Sequence, residues 1–429
     1  MFPRREGQST ALATDFYELT MAQSYLEAGK EKSAVFSLFA RQLKSRNFLV
    51  SAGLATLLEQ IRRFRFAEED LTYLETLGFS KDFLGYLKGY RFSGDIYAID
   101  EGRIVFENEP IVQVEARLPD AQIIETLVIN TVHFQTLVAS KAARIYLVSG
   151  GKPLVDFGLR RAHGVEAGVY AARAAYLAGV GSTSNLMAGK MFHIPVVGTM
   201  AHSYVEAHES EEDAFRSFAR TFPKSPVFLI DTYDTISGAR KAVQLSNEGV
   251  TPAAVRIDSG DLAELSRAVR GILDEAGLRD TRIIVSGGLD EYDVKRLLDE
   301  EAPVDIFAVG TMLVTSSDRP YLDMAYKLVE YDGKPKFKLS PGKVTFPYKR
   351  QVIRHYRQNG LMDYDETKRY GTKATGEGLV GEVVEDGKVI CTPLSLDQIR
   401  ETFLRDVERL PEHLKGLEES SQRYSVVIE

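Results

Sequence analysis

His202, Asp231, Arg256, Asp258 and the pair Gly287–Gly288 are residue types that bind and transform charged substrates, and each follows a short apolar run. A histidine can serve as acid, base or covalent nucleophile. A carboxylate can fix its tautomer, accept from hydroxyls or share a Mg²⁺ ion. In Arg256-Ile257-Asp258-Ser259-Gly260-Asp261 the guanidinium suits anions, Gly260 permits close backbone approach and Asp261 can cap the next helix. Ser286-Gly287-Gly288 and Gly310-Thr311 leave backbone N–H groups open to a phosphate. Phe157-Gly158-Leu159-Arg160-Arg161 joins an aromatic face to two guanidinium forks, enough to stack a flat anionic ring and hold its carboxylate. A structural reading stands beside each: an Arg–Asp pair with a cap, tight turns, a core phenylalanine with surface arginines. His208, His355 and His413 read as structural or surface residues.

The position of these residues decides for chemistry. The apolar β-type runs are Pro153–Phe157, Pro195–Thr199, Val227–Asp231, Ala253–Asp258, Arg282–Ser286 and Val304–Val309, with a weaker one near Val180. The polar residues fall at the carboxyl end of run after run, where parallel α/β folds build their active sites. Between the runs, 164–178, 211–221, 235–246, 262–276 and 291–299 have helical spacing. This alternation predicts right-handed βαβ connections and a parallel sheet. About seven units in roughly 160 residues are short of a complete eight-unit barrel.

The flanks differ. Residues 15–28 and 51–64 have helical spacing, 34–40 alternates as a strand, and 121–148 reads as one long helix. Ile96–Ile99, Arg103–Phe106 and Ile111–Val114 predict a small antiparallel meander. Asp332-Gly333 and Glu385-Asp386-Gly387 are hairpin signals, and 396–407 is an amphipathic helix. The fold class expected is α/β: an irregular, incomplete parallel α/β barrel over 131–330, with a discontinuous α+β accessory domain from 1–130 and 331–429. Lys343, Lys349, Arg350 and Arg354 form a basic stretch, either a solvated face or an anion-binding lid, with Lys343 the candidate ligand.

Composition narrows the class. The 429 residues are 44% hydrophobic, with 53 Lys plus Arg against 61 Asp plus Glu and a net charge of −8. That balance argues against a general nucleic-acid binder. The single cysteine, Cys391, excludes an intramolecular disulfide and any multi-cysteine zinc site. No run reaches the ~18–20 apolar residues of a membrane span, and the amino terminus lacks an uninterrupted apolar signal region. A soluble cytoplasmic protein is expected.

Thr14-Asp15-Phe16-Tyr17-Glu18-Leu19-Thr20-Met21, the Phe157–Gly164 run, Gly198–Ser203, Asp231–Asp234, Arg256–Asp261 and Ser286–Leu289 together resemble nicotinate phosphoribosyltransferase, of the type II phosphoribosyltransferase class. The resemblance implies a homodimer with active sites at the subunit interface. It implies transfer of phosphoribose from phosphoribosyl pyrophosphate to nicotinate, giving nicotinate mononucleotide and pyrophosphate. It also implies that ATP hydrolysis is coupled, that Mg²⁺ is held by pyrophosphate rather than by a side-chain cluster, and that the product feeds NAD salvage. It makes His202 the residue that ATP phosphorylates and Asp231 its orienting carboxylate. Arg256 and Asp258 hold ribose and ring, and Gly287, Gly288, Gly310 and Thr311 cradle the 5′-phosphate. Phe157 stacks on the pyridine with Tyr17 of the neighbouring subunit on its other face, and Arg160 holds the ring or phosphate end. Ser184 falls where nicotinamide-using relatives carry an aspartate; it cannot repel a carboxylate, so the acid is expected. Tyr348 stands where a glycine is expected. The alternatives are a nicotinamide- or quinolinate-using phosphoribosyltransferase, or a non-catalytic phosphosugar-binding protein. A Schiff-base aldolase is disfavoured because no lysine ends a strand.

Overall fold

The computed structural model describes residues 10–338 and 346–429; Lys343 lies outside them. The chain divides into two compact units, Met1–Ser140 with Tyr321–Glu429, and Lys141–Pro320.

The second unit is built on a six-stranded sheet in the order Ser182–Thr183, Leu154–Asp156, Ile306–Val309, Arg282–Val285, Ala254–Ile257, Val227–Leu229. All neighbours are parallel, and the sheet curves as a half-barrel. Helices Val165–Leu177, Glu211–Thr221, Thr235–Asn247, Leu262–Glu275 and Glu291–Asp299 fill the connections where helical spacing predicts them. The run Pro195–Thr199 is a correction. It forms no strand, only a single bridge from Val196 to Thr183, and Val196 and Val197 are exposed. With a neighbour on one side alone, its apolar alternation is not enough to build a ladder.

Strand period fixes what the sheet presents. Val155, Ala254, Ile284 and Ala308 form a small buried cluster on one face. The residues two positions on (Phe157, Arg256, Ser286 and Gly310) therefore share that face at the carboxyl ends. Glu291 opens the helix after Gly287–Gly288 and is fully buried, paired with both Lys141 and Arg144; Asp318 joins Lys141 at 3.0 Å. Removing one partner of such a buried pair costs about 3–5 kcal/mol, so this helix start is firmly anchored.

The first unit contains a seven-stranded antiparallel sheet, ordered Lys334–Pro335, Met324–Tyr331, Ser33–Ala40, Val112–Arg117, Asp95–Ile99, Val380–Glu385, Lys388–Val389. The expected meander is only partly realised. Asp95–Ile99 pairs directly with Val112–Arg117, and the middle run, Ile104–Val105, leaves to pair with Leu49–Val50. Glu101 causes the detour: its carboxylate accepts from Gly53 and Ala55 N–H, drawing the turn toward helix Leu54–Arg63. Both hairpin signals hold, with Asp332 and Gly333 at φ +51° and +71° and Asp386 and Gly387 at +47° and +73°, as tight hairpin turns require. The long helix is broken at Ile124 into Leu118–Ile123 and Glu125–Val148.

The lid reading of the basic stretch does not survive for three of its members. Lys349 pairs with Glu115 at 2.8 Å and lies over the Tyr97 ring. Arg350 donates to the Thr367 carbonyl, and Arg354, fully buried, bonds Asp365. Lys349 and Arg354 are thus paired with carboxylates inside the unit and Arg350 with backbone oxygens, because buried charge without a partner is costly. Among the described residues no helix is long and apolar enough to cross a membrane.

Candidate active site

Two adjoining cavities of about 460 and 450 Å³ open at the carboxyl ends of the parallel strands, within the size range of small-ligand sites. Phe157, Arg160, Arg256 and Asp258 line both. The first continues past Ser184 to Thr199 and His202. The second runs over Arg161, Ser286, Gly287, Gly288, Gly310 and Thr311. The structure thus gathers most of the expected residues around one cleft.

Arg256 sits at its centre, nine-tenths buried. Its Nε donates to Ser286 Oγ at 2.8 Å, Nη1 to Thr199 Oγ1 at 3.2 Å and to the Met200 carbonyl at 3.3 Å, and Nη2 to Asp258 Oδ1 at 2.6 Å. Its guanidinium also lies 5.4 Å from the Phe157 ring centre. The group is therefore held rigid before any ligand arrives. Burial works against the Asp258 carboxylate, but the Ser286 hydroxyl and Arg256 outweigh it and hold its pKa below the usual range. Asp261 caps its helix as expected, accepting from Ala263 and Glu264 N–H at 3.1 Å.

His202 begins a short helix, His202–Glu206, with its ring partly exposed to the first cavity. Its neighbours differ from expectation. Nδ1 meets Thr232 Oγ1 at 3.2 Å, and Nε2 faces Asp258 Oδ2 at 3.8 Å. Asp231 does not bond the ring. Its Oδ2 accepts from Asp258 N–H at 2.9 Å and Ser259 Oγ at 2.8 Å, while Oδ1 is buried with no hydrogen-bond partner among the described residues. Thr232, one residue on, points where the carboxylate was expected. Asp258 is thus the carboxylate nearest His202 and also the partner of Arg256.

The glycines are explained by space. A Cβ on Gly287, at φ +103°, would lie 1.9 Å from the Asp258 carbonyl oxygen. On Gly310 it would press on the Phe157 carbonyl at 3.1 Å. Arg161 Nη1 donates to Thr311 Oγ1 at 3.1 Å, putting a cation beside the second glycine turn. Ser184 is held in the wall of the first cavity by its N–H, which donates to the Asp156 carbonyl at 2.9 Å. Tyr17 belongs to the first unit, on helix Phe16–Glu27. Its ring is 45% exposed, and burial of the hydroxyl together with Glu125, which it bonds, raises its pKa. Thr199, Thr232, Ser286 and Asp156 are the partners that sequence reasoning missed. Their hydroxyls and buried carboxylate carry no pattern of their own; only the register brings them in.

Among the described residues no three His, Cys, Asp or Glu side chains converge as a metal site. Mg²⁺ carried by substrate phosphates needs only one or two carboxylates. Asp258, which faces both cavities, fits that role; Asp231 lines neither.

Fold and cleft together define an α/β protein with a polar cleft at the carboxyl ends of parallel strands, the usual place of an active site in this architecture. The model for the nicotinate phosphoribosyltransferase N-terminal domain matches residues 12–133, and that for the nicotinate phosphoribosyltransferase family matches 153–343. The chain is 45% identical over 424 residues to nicotinate phosphoribosyltransferase pncB2 of Mycobacterium tuberculosis, covering 97% of this chain and 91% of that one. It is 45% identical over 367 residues to the nicotinate phosphoribosyltransferase of Bacillus subtilis, covering 82% and 75%. The crystal structure of human nicotinic acid phosphoribosyltransferase superposes with a TM-score of 0.87 at 26% identity, covering 97% of each chain. This chain belongs to the nicotinate phosphoribosyltransferase family.

Proposed function

We propose that the chain transfers phosphoribose from phosphoribosyl pyrophosphate to nicotinate, forming nicotinate mononucleotide and pyrophosphate, and couples this to ATP hydrolysis through phosphorylation of His202. The observation that carries the reading is the pair of cavities sharing Phe157, Arg160, Arg256 and Asp258, with Ser184 and His202 in one and the Gly287 and Gly310 turns with Arg161 in the other. Displacement at the anomeric carbon develops positive charge on the sugar while pyrophosphate leaves. Asp258 is placed to face that charge. Arg160, Arg161 and the N–H groups of the Gly287 and Gly310 turns receive phosphate oxygens. Phe157 holds the ring, so that its nitrogen needs only orientation. Mg²⁺, when bound with pyrophosphate, would offset the leaving group's charge, with Asp258 as the protein carboxylate facing it.

His202 stands 3.8 Å from Asp258, so a phosphoryl group on its ring would place two negative charges beside a fixed carboxylate. That repulsion is the physical link between ATP and the affinity of the cleft for pyrophosphate. Further parts of the reading are a cytoplasmic homodimer with the exposed Tyr17 reaching the partner's ring pocket, and a domain division in which 131–330 is an incomplete α/β barrel and the flanks an accessory domain. The test is product formation from nicotinate, nicotinamide and quinolinate in turn. Nicotinate should be preferred, and Ser184→Asp should blunt that preference. Equal use of nicotinamide by the unaltered enzyme would remove the specificity claim.

A further inference from the structure

We propose that Asp156, acting through Thr183, is the positioning residue of the ring pocket: it sets Phe157 and Ser184 at the spacing that accepts a pyridine carboxylate. The proposal rests on the function proposed above and adds a residue that touches no substrate.

Asp156 is the last residue of the Leu154–Asp156 strand and is nearly fully buried. Its three acceptors serve the two walls of the pocket. Oδ1 accepts from Gly158 N–H at 2.8 Å, closing the turn that carries Phe157. Oδ2 accepts from the Thr183 hydroxyl at 2.7 Å, and its backbone carbonyl accepts from Ser184 N–H at 2.9 Å. Thr183 Oγ1 in turn accepts from Asn185 N–H at 3.0 Å. Asn185, fully buried, caps helix Leu186–Phe192 through Ala188 N–H at 3.1 Å and donates to the Gly168 carbonyl at 3.2 Å. Ser184 is thus held between two immobilised neighbours.

The strand ladder alone does not do this. Ser182–Thr183 is two residues long and pairs with Leu154–Asp156 at only two positions. Beyond it the chain has just the Val196 bridge. The side-chain bonds of Asp156 therefore supply the restraint that a longer strand would give. The groups that bond the Asp156 carboxylate, Gly158 N–H and the Thr183 hydroxyl, carry no charge, and burial raises its pKa. A buried carboxylate without a cation is expensive to keep, and an amide could cap the turn as well. At the second wall, however, an amide would turn an N–H toward Thr183 Oγ1, which already accepts from Asn185 N–H, and would leave the Thr183 hydroxyl proton without its acceptor. Gly158 completes the device, since a Cβ there would lie 2.8 Å from Val314 and 3.0 Å from Asp156 Oδ1.

The test compares Thr183→Val, Thr183→Ser and Asp156→Asn in the full chain. KM for nicotinate and KM for phosphoribosyl pyrophosphate are measured separately, with folding followed by circular dichroism. KM for nicotinate should rise about tenfold or more in T183V and D156N, since small misplacements of a pocket wall are costly. KM for phosphoribosyl pyrophosphate should stay within about twofold, and T183S, which keeps the hydroxyl, should recover most of the nicotinate affinity. The proposal is overturned if both KM values rise together, if neither moves, or if T183S is as impaired as T183V. If T183V does not fold, D156N alone decides by the same split. An unaltered enzyme that uses nicotinamide but not nicotinate would remove the functional reading instead; the KM split for that ring would still judge the bracket.

Discussion

Gly287→Ala tests the geometry of the cleft most severely. The added methyl would sit 1.9 Å from the Asp258 carbonyl oxygen, and ordinary contact begins at 3.4 Å, so the glycine turn and the Asp258 strand end must separate by roughly 1.5 Å. That displaces the backbone carrying both Asp258, which faces His202, and the Ser286–Arg256 bonds. Misplacement by about 1 Å can cost ~10²-fold, so kcat/KM for phosphoribosyl pyrophosphate should fall at least that far, about 2.7 kcal/mol of transition-state stabilisation. Gly288→Ala is the control. It has φ +77° but no protein atom within 4 Å of its Cβ, so it adds backbone strain of about 1–2 kcal/mol without moving Asp258. Initial rates should show kcat falling with kcat/KM in G287A, whereas G288A raises KM with kcat largely kept. If G287A stays within about threefold of the unaltered enzyme, the Asp258–Gly287 packing does not set the site and the reasoning fails.

Other perturbations follow from single observations. His202→Asn should abolish acid-labile phosphate and make the rate independent of ATP while leaving basal synthesis measurable; retained ATP stimulation would contradict the phosphohistidine role. Glu18 is fully buried, and burial pushes its pKa from the ordinary 4.5 up to about 7 against bonds from Thr126 and Thr14. A raised acid binds its proton more tightly in the native state, so its contribution is full below pH 4.5 and lost as pH rises through 7, on the order of 3 kcal/mol. Urea unfolding across that window should show the stability of the unaltered chain falling relative to Glu18→Gln; parallel curves would refute this. Tyr348 has φ +68°, a conformation that favours glycine, and Arg369 lies over its ring at 4.3 Å. Tyr348→Gly should therefore be more stable than Tyr348→Ala by about 1 kcal/mol in thermal melts, since both lose the ring and only glycine relieves the backbone.

Much of the catalytic unit was legible because strand period and polar strand ends are local signals. Phe157, Arg256, Ser286 and Gly310 share one face by counting alone, given parallel register. Gly287 and Gly310 sit where close backbone approach forbids a side chain. Pairing partners were not legible. Ile104–Val105 alternates well enough for the meander, yet the buried Glu101 in the turn before it, bonded to Gly53 and Ala55, redirects it. Asp231 ends a strand run beside the histidine's, but a one-residue change in direction gives the ring to Thr232. Lys349, Arg350 and Arg354 look like a solvated or anion-binding run until the sheet supplies their partners. Tyr348 marks the reverse case: the departure from an expected glycine was visible, and the backbone takes the glycine conformation anyway.

The account stands on one cleft holding a flat ring at one end and a phosphate at the other. A crystal structure of the enzyme with nicotinate mononucleotide measures this directly. The account predicts the pyridine against Phe157 near Ser184, and the phosphate on the N–H groups of Gly287–Gly288 and Gly310–Thr311 with Arg161 beside it. Product bound away from those turns, or a ring placed outside the Phe157–Ser184 pocket, would contradict it.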